Sequence, residues 1–461
     1  MDALDPGTCT IAATGDSIIT RPIGHLAERD EGFADLQALL TDADATVTNL
    51  EVVLPDDDTA GTPPVAVPSQ YQYLSSLAGI LMRADPVVLE ELEELGIDLF
   101  ATASNHSFDY GRSGLKATID ALTERSLPFA GMGRTLADAR RPAYVETAGG
   151  RVGLVGATAS VPPASEAGPA SPIHPGRSGV NPLHLRWVYG ATPAQLERLQ
   201  DLAAELGIES MKSTWLDRSA PDRDEHSYYW FMHMPIETVN DESEVGVRLE
   251  PIEADRRAYL ESVSTAATNA DWTVASLHGH QSAGGVRNTS ETPAFLRAFA
   301  RECIDAGADL FVVTGPHVLR GMEIYEGRPI FYSLGNLFYQ TETIEWLPPE
   351  SFDYYGVDDR TAMTDLFEAR YFDTDGNPAG NLARDEYWET VVPVCQFADD
   401  VLESITLHPC VLGQDRDLPR RGTPTLATGE AATSIIERFQ TLSEPYGVDI
   451  ALEDDVGVVD W

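Results

Sequence analysis

The sequence has 461 residues, with 74 Asp and Glu against 31 Lys and Arg, and a formal net charge of −43. Such a charge argues against nucleic-acid binding, which needs a basic face to hold phosphates, and against docking on an anionic membrane. Hydrophobic residues make up 43% of the chain, enough for a sizeable core, so the acids do not indicate disorder. An acidic shell suits concentrated salt, where a Debye length of roughly 3 Å screens self-repulsion. We therefore predict a halophilic cell; the alternative is an ordinary acidic protein.

The cysteines and the chain start also limit the protein class. The four cysteines are scattered, which predicts neither a zinc knuckle nor a disulfide scaffold. Residues 1–15 carry early acids and no long apolar run, so they are not typical of a signal peptide. No stretch approaches the roughly 20 apolar residues that a membrane-spanning helix needs. From these features we expect a cytoplasmic protein with no membrane insertion.

Hydrophobic periodicity and turn residues predict alternating strands and helices in the first third of the chain. The strands are predicted at residues 9–14, 45–50, 97–103, 144–147 and 152–157. The helices are predicted at residues 33–40, 87–95 and 113–125. Residues 56–68 are polar and rich in proline, which predicts a loop.

Residues 160–250 break this rhythm, since they contain many prolines, glycines and charged residues. We interpret this segment as a long, irregular insertion. Regular elements return after it. Helices are predicted at residues 252–267, 293–306 and 431–442. Strands are predicted at residues 272–277, 309–314, 330–334, 362–372, 387–395 and 401–407.

Side chains of the kind that bind metals follow the ends of several predicted strands. They are Asp16, Glu51, Asn105, His106, His278, His280 and His317. In α/β proteins ligands tend to bind where strands end. Carboxylates, imidazoles and amide oxygens hold hard or borderline divalent metals. A single His or Asp after a strand is usually a cap or a surface group, but repetition of the pattern favours a metal site.

Several longer stretches carry these residues. They read ATGDSI at 13–18, TNLEVVL at 48–54, ATASNHSFDYGRSGL at 101–115, VASLHGHQS at 274–282 and GPHVLRGMEIYEGRPIFYSLGNLF at 315–338. On these motifs the sequence resembles the CapA family of poly-γ-glutamate capsule biosynthesis proteins, whose domain is similar to the calcineurin-like metallophosphoesterases. Two C-terminal segments, WETVVPV and RRGTPTLA, also resemble a branch of this family.

The resemblance implies a fold and a domain organisation. The implied fold is α/β (α+β), a four-layer metallophosphatase-like sandwich of two mixed β-sheets flanked by helices. A CapA-like metallophosphoesterase domain would cover residues 1–345, with the irregular insertion at about 160–250. Residues 346–461 would form a C-terminal segment that packs on the same domain.

The resemblance also implies a site for one or two divalent metals, with Mn, Zn, Fe and Mg as candidates. Asp16 corresponds to a ligand of the first metal, Glu51 to a bridging carboxylate and Asn105 to a ligand of the second metal. Three histidines complete the implied ligand set, namely His278, His280 and His317. In such sites the metals lower the pKa of a water and spread the charge that develops during the displacement.

Residues beside these ligands receive implied roles as well. His106 would act as general acid or as an electrostatic stabiliser of the transition state. Asp109 is predicted either to orient His106 or to cap the helix that follows. Arg112 and Arg320 are candidates for binding an anionic substrate, although each could instead pair with one of the many carboxylates.

Three positions depart from the family pattern. Ile18 and Thr314 stand where the superfamily has histidines, and Gln281 stands where relatives often have an acid. A site with these losses would bind one metal, bind it weakly, or use other groups. The departures therefore bear on catalytic activity more than on the fold.

The stretch at residues 332–336 has a structural interpretation. Gly335 is expected to supply a positive φ for a tight turn, and Asn336 a local hydrogen bond. Ser333 is not a convincing nucleophile, because no Gly-x-Ser-x-Gly elbow surrounds it.

Three functions remain open from the sequence. The first is a metal-dependent hydrolase that serves the synthesis of an anionic polymer such as poly-γ-glutamate. The second is a non-catalytic accessory component that works with partners in a capsule synthesis or export assembly. The third is a phosphatase acting on a small phosphoester metabolite. Likeness of fold alone does not choose among them.

Overall fold

The computed structural model describes residues 8–55, 80–215, 228–232, 234–344, 347–360 and 362–461. The first part of the chain forms β1 (Thr8–Ile18), α1 (Glu31–Asp42), β2 (Ala45–Leu50), α2 (Val87–Glu94), β3 (Leu99–Ala101), α3 (Gly111–Glu124), β4 (Phe129–Ala130), β5 (Met132–Gly133), α4 (Leu136–Arg140), β6 (Ala143–Thr147) and β7 (Gly150–Thr158). The loop predicted at residues 56–68 lies outside the described residues.

The middle part forms β8 (Gly179–Val180), β9 (Leu185–Ala191), α5 (Pro193–Glu205), α6 (Ile208–Trp215), β10 (Tyr229–Phe231), β11 (Met234–Thr238), β12 (Gly246–Pro251), α7 (Glu253–Asn269), β13 (Trp272–His278), α8 (Ala294–Asp305) and β14 (Leu310–Thr314). The last part forms β15 (Met322–Tyr325), β16 (Arg328–Phe331), β17 (Asn336–Tyr339), α9 (Pro349–Tyr355), α10 (Met363–Tyr371), β18 (Glu389–Ala398), β19 (Val401–Val411), β20 (Thr425–Leu426), α11 (Glu430–Ser443), β21 (Asp449–Glu453) and β22 (Val456–Asp460).

Two large mixed sheets form the centre of the molecule. The ten-stranded sheet has the order β21-β22-β19-β18-β1-β2-β3-β4, with β17 also paired to β1 and β20 to β19. The six-stranded sheet has the order β15-β16-β14-β13-β7-β6. Strands β1 to β4 run parallel in the first sheet, and β7, β13, β14 and β16 run parallel in the second.

The two sheets pack face to face, and helices cover their outer faces. Ile11 of β1 shares one buried cluster with Leu154 and Val274 of the six-stranded sheet. Neighbouring residues of a strand point to opposite faces, and Ala12 accordingly packs in the cluster that contains residues of α1 and α2. On the far side, Val263 of α7 packs with strands of the six-stranded sheet. The predicted α/β sandwich is confirmed.

The C-terminal part of the chain contributes strands to the ten-stranded sheet. β18 pairs antiparallel with the start of β1, from Thr8 to Ala12. At Asp16 the partner on this side changes to β17, which runs parallel to β1. Because β18 extends the same sheet, we propose that residues 346–461 belong to the domain formed by the preceding part of the chain.

Most predicted elements are confirmed within a few residues, but one is wrong in type. Residues 362–372, predicted as a strand, form helix α10. Met363, Phe367 and Tyr371 recur every four residues, and they pack in the same hydrophobic cluster as the buried Leu366. The carboxylate of Asp365 accepts a hydrogen bond from the amide of Ala362 at 3.2 Å, which stabilises the start of the helix.

The segment at residues 160–250 is more regular than predicted. It contains a four-stranded sheet of order β10-β11-β9-β12, together with α5 and α6. The expectation of an irregular segment is therefore wrong. Its strands are short, and the surrounding prolines, glycines and charges mask their alternation in the sequence.

No helix in the described part of the chain is both long enough and apolar enough to cross a membrane.

Gly15 is required where β1 and β17 approach each other closely. A Cβ atom at this position would lie 2.0 Å from the carbonyl oxygen of Gly335. That oxygen also accepts a hydrogen bond from the amide of Asp16 at 3.0 Å, so neither backbone can move without breaking the pairing. We expect Gly15→Ala to lower the free energy of unfolding by about 3 kcal/mol, measured by denaturant unfolding.

Gly24→Ala is the matched control for this prediction. A Cβ atom at Gly24 would meet only the side chain of Glu91, with the closest atom at 2.9 Å. That side chain is flexible, so the expected loss is below about 1 kcal/mol. Equal unfolding midpoints for the two variants would contradict the close approach of β1 and β17.

Candidate metal centre

Six of the side chains predicted as metal ligands lie together where strands of both sheets end. Asp16 is near the end of β1, Glu51 follows β2, and His278 is the last residue of β13. Parallel strands present their carboxyl ends at one edge of a sheet, and the sandwich brings the two edges together. All six are buried, and we call them the cluster: Asp16, Glu51, Asn105, His278, His280 and His317.

The first group of possible ligands consists of Asp16, Glu51 and His278, whose ligand atoms all lie within 4.8 Å of one another. Nδ1 of His278 is 3.6 Å from Oδ1 of Asp16, and its Nε2 is 3.8 Å from Oε1 of Glu51. Oδ1 of Asn105 lies 2.8 Å from Nε2 of His278, which joins the amide to this group. Carboxylate, imidazole and amide donors suit a divalent metal.

The second group consists of Glu51, His280 and His317, again with ligand atoms within 4.8 Å of one another. The ring of His280 lies 5.1 Å from the rings of both His278 and His317. Nδ1 of His317 is 3.5 Å from Oδ2 of Asp16, so the two groups are in contact. Glu51 is a member of both groups.

Unpaired polar atoms in the cluster fit a bound cation. Within the described part of the chain, Oε1 of Glu51 and Nε2 of His280 are buried and have no hydrogen-bond partner. Such atoms are rare in folded proteins, because each costs about 1–3 kcal/mol. A divalent cation would satisfy both atoms, so the residues present fit the metal that the sequence predicts.

The electrostatics of the cluster also favour a cation. Burial, reinforced by the charge of Asp16, raises the pKa of Glu51 well above its ordinary value. Burial also acts to raise the pKa of Asp16, but contacts with His278 and His317 outweigh it and hold the pKa well below the usual range. Burial lowers the pKa of His278 and, more strongly, that of His280. The raised pKa of Glu51 means that its ionised form is disfavoured without a metal, and a bound cation would favour that form, while imidazoles that resist protonation stay available as ligands.

Asn49 belongs to this site and was missed in the sequence. Its Nδ2 donates to Oδ1 of Asp16 at 2.8 Å and to Oε2 of Glu51 at 3.4 Å. It therefore holds both carboxylates in place. The signal was present, because Asn49 precedes Glu51 by two residues, and a strand directs such residues to the same face.

His106 and Asp109 form a pair at the edge of the cluster. Nδ1 of His106 lies 2.6 Å from Oδ2 of Asp109, and the His106 side chain is 15% exposed. Asp109 is fully buried and also accepts from the amide of Met82 at 2.5 Å. Helix α3 begins after Tyr110 without a side-chain cap. Of the two predicted roles for Asp109, the geometry favours orientation of His106 over capping.

Two asparagines hold the outer histidines. Nδ1 of His317 lies 2.9 Å from Oδ1 of Asn336, and Nδ1 of His280 lies 2.8 Å from Oδ1 of Asn288. These contacts place the ring proton on Nδ1 and leave Nε2 as the atom available to a metal. Gly335 has the predicted positive φ of 78°, but the hydrogen bond of Asn336 positions a site histidine rather than only closing a turn.

The two predicted substrate-binding arginines differ in their surroundings. Arg320 is fully buried, and its guanidinium donates to the carbonyl oxygens of Thr289 and Gln281, each at 2.9 Å. This arginine braces the loop after β13, and its Nη1 is buried with no hydrogen-bond partner in the described part of the chain, so the contact with substrate stays a prediction. Arg112 is exposed, with its guanidinium 5.8 Å from the ring centre of Phe108.

The three departures from the family pattern have structural counterparts. Ile18 is buried in the core beneath the cluster. The hydroxyl of Thr314 lies 3.1 Å from Nδ1 of His278, so Thr314 contacts a predicted ligand. The side-chain Nε2 of Gln281 donates to the carbonyl oxygen of Ala159 at 3.0 Å, which connects the loop after β13 to the end of β7.

Comparison with known sequences decides the family. The model of the bacterial capsule synthesis protein family PGA_cap matches residues 10–341. The chain belongs to the PGA_cap family. The match spans every residue of the cluster, and the predicted CapA relationship is confirmed.

Relatives of this PGA_cap chain differ in how much of it they cover. The uncharacterized protein y4sH of Sinorhizobium fredii is 34% identical, over 98% of this chain and 92% of its own length. The capsule biosynthesis protein CapA of Bacillus anthracis is 23% identical, over 77% of this chain and 66% of its own. The PGA biosynthesis protein CapA of Bacillus subtilis is 24% identical, over 61% of this chain and 53% of its own length. The y4sH protein therefore shares the C-terminal part of the chain beyond the PGA_cap match.

Proposed function

We propose that this chain is a metal-dependent hydrolase of the metallophosphoesterase type, acting in the synthesis of capsule polymer such as poly-γ-glutamate. The observation that carries the proposal is the position of Glu51 in two groups of possible ligands. A carboxylate shared between two metal positions is the arrangement that two-metal hydrolysis needs. The biological setting rests on the family and on the names of the two Bacillus relatives.

The residues that would hold metal follow from the two groups. Asp16, Glu51 and His278 would hold one divalent cation, and Glu51, His280 and His317 a second. When bound, such a cation lowers the pKa of a water and stabilises negative charge on the substrate. Mn, Zn, Fe and Mg remain the candidates, since oxygen and imidazole donors occur together.

The protein's own groups would then perform the proton transfer. His106 is the partly exposed imidazole next to Asn105, and Asp109 holds its Nδ1 at 2.6 Å. With Nδ1 fixed in this way, Nε2 is the atom that can give a proton to a departing alkoxide. Before that transfer, the buried carboxylate of Asp109 would stabilise the protonated ring of His106.

A non-catalytic accessory role is the second candidate, and a specific observation favours it. Ile18 and Thr314 occupy positions where histidine ligands are expected, and Thr314 already hydrogen-bonds His278. A chain that keeps the fold but binds metal weakly would suit a component of a synthesis or export assembly. Hydrolysis assays separate this candidate from the first one.

The direct experiment is metal analysis followed by activity assays. Protein purified in salt would be analysed for metal and then assayed with Mn²⁺ on a phosphodiester, a phosphomonoester and poly-γ-glutamate. The proposal predicts bound metal and a rate that a chelator removes. Bound metal with a phosphomonoester rate only would favour the small-metabolite phosphatase. Absence of metal and of any rate would leave the accessory role.

Metal should also stabilise the fold. A cation that binds only the folded chain raises the free energy of unfolding by about 2.7 kcal/mol at 100 times its dissociation constant. We therefore expect Mn²⁺ to raise the thermal midpoint of chelator-treated protein, measured at constant ionic strength. Sodium chloride at the same ionic strength is the control. The same midpoint in both salts would contradict metal binding by the cluster.

A further inference from the structure

One arginine outside the predicted set, Arg287, lies beside the candidate metal centre. The amide of Asn288 donates to the carbonyl oxygen of His280 at 3.1 Å, and Arg287 pairs with Gln281 in an antiparallel bridge. These contacts fold residues 280–288 into a hairpin, which we call the site hairpin. Arg287 therefore lies across the hairpin from the residues next to the possible ligand His280.

Two other arginines fix the site hairpin in place. Arg320 donates to the carbonyl oxygen of Gln281 at 2.9 Å from the buried side. Arg384 donates to the carbonyl oxygen of Asn288 at 3.2 Å and forms an ion pair with Glu386 at 2.8 Å. Both guanidinium groups are thus engaged by protein atoms. They position the hairpin, although Nη1 of Arg320 is buried without a hydrogen-bond partner among the described residues.

Arg287 has different surroundings. Part of Arg287 is exposed, but burial by the surrounding protein lowers the pKa of its guanidinium, and within the described ranges no carboxylate forms an ion pair with it. Its guanidinium is nevertheless close to the site. Burial is the main cause that lowers the pKa of His280, and the charge of Arg287 is the next. Arg287 also interacts with Tyr387, whose ring lies 5.6 Å from that of His317.

A free arginine at this place is notable in a chain of net charge −43. Some arginines elsewhere in the described part of the chain, such as Arg256 with Glu302 and Arg421 with Glu342, are neutralised by carboxylates. An anionic substrate would be repelled by most of the surface, so a local cation is needed at the entrance to the site. Salt weakens this long-range repulsion, but it affects direct hydrogen bonds to a guanidinium much less.

Resting on the proposed function, we propose that Arg287 binds an anionic group of the substrate next to the reacting bond. The group would be a phosphate or a carboxylate, since the planar fork of a guanidinium donates two parallel hydrogen bonds to either. Arg287 is thus a substrate-binding residue of the same site, in addition to the predicted Arg112 and Arg320. The substrate therefore carries at least one anionic group that binds to Arg287 and not to the metals.

The test measures binding directly, so that it does not depend on turnover. Calorimetry on metal-loaded full-length protein would use inorganic phosphate and tri-γ-glutamate as two separate probes. Arg287→Gln should weaken binding of at least one probe about tenfold or more, because a charge-assisted pair of hydrogen bonds is lost. Arg287→Lys should recover part of the loss. The probe that responds identifies phosphate or carboxylate as the group that is bound.

Arg125→Gln is the matched control. Arg125 is an exposed arginine at the far end of the 14-residue helix α3, and about 20 Å of helix separates it from the end near His106. The Arg125→Gln variant has the same change of net charge as Arg287→Gln, and it should bind both probes as tightly as the wild type does. Metal content should be equal in all four proteins, which shows that the fold and the metal centre are intact.

Two results would overturn the proposal: Arg287→Gln binding both probes as tightly as the wild type, or the wild type binding neither. A hydrolysis assay on the same proteins distinguishes this failure from failure of the proposed function. If the wild type hydrolyses a substrate and Arg287→Gln leaves its KM unchanged, the substrate contact is wrong while the function stands. If Arg287→Gln weakens probe binding but no protein hydrolyses any substrate, the anion site stands and the hydrolase does not.

Discussion

Replacing Glu51 by glutamine is expected to remove metal binding and to slow metal-dependent hydrolysis by at least about 100-fold. Glu51 belongs to both groups of possible ligands, and the neutral amide of glutamine keeps its shape but is a much weaker ligand. Loss of a residue that merely orients a ligand already costs about 10-fold to 100-fold in metal affinity. The measurements are metal content after dialysis and the initial rate in excess Mn²⁺.

Folding of the variant is checked separately. In metal-free protein burial and the charge of Asp16 raise the pKa of Glu51, which favours its neutral form, and glutamine resembles that form in shape and charge. Metal-free Glu51→Gln should therefore unfold at the same temperature as metal-free wild type, or higher. Glu146→Gln, an exposed carboxylate on β6, is the control and should retain its metal. Full metal content in Glu51→Gln would contradict a shared ligand at this position.

Replacing His106 by alanine should lower kcat by about 100-fold to 10,000-fold, which is the usual contribution of a general acid or base. Metal content should stay the same, because His106 belongs to neither group of possible ligands. This combination separates His106 from the metal-binding residues. It requires kcat, KM and metal content to be measured on the same preparation.

Asp109→Asn tests how His106 is held. The asparagine keeps the shape but loses the charge that orients and stabilises the ring, so a smaller fall in kcat with little change in KM is expected. His174→Ala is the control, since His174 is an exposed histidine with no place in the cluster. An unchanged rate in His106→Ala would remove His106 from the mechanism.

The cluster could be predicted from the sequence because its geometry is local in origin. Each ligand-type residue follows an apolar strand, and parallel strands of one sheet end at a common edge. The pairing of Asp16 with Asn49 and of His278 with Thr314 across neighbouring strands shows this directly. The two edges meet because one sheet packs on the other. This packing was predicted from the family resemblance and could not be predicted from the strand pattern.

The errors have physical causes as well. Strand or helix type is ambiguous in a short apolar stretch, and residues 362–372 became a helix because their apolar side chains recur at helical spacing. The alternative predicted for Arg320, a pairing with a carboxylate, is not found among the described residues, because burial gives this side chain carbonyl oxygens of the loop as partners. Its contact with substrate stays a prediction. The role proposed for Arg287 could not be predicted from the sequence, because only the fold of the site hairpin brings this residue beside the site.

The acidic composition bears on the solvent rather than on the site. The carboxylates in the cluster, Asp16 and Glu51, are two of the 74 acids in the chain. The cluster is buried, and contacts with the neighbouring histidines hold the pKa of Asp16 well below its usual range. The proposal that the protein works in concentrated salt rests on composition alone and stays a prediction.

We propose above all that Glu51 is a ligand shared by the metal positions of this site. A crystal structure of protein soaked in Mn²⁺, with data collected at the manganese absorption edge, tests it most directly. We expect anomalous density in contact with a Glu51 carboxylate oxygen. If two cations bind, we expect them to be about 4 Å apart with Glu51 between them. Density remote from Glu51, or none at saturating Mn²⁺, would contradict it.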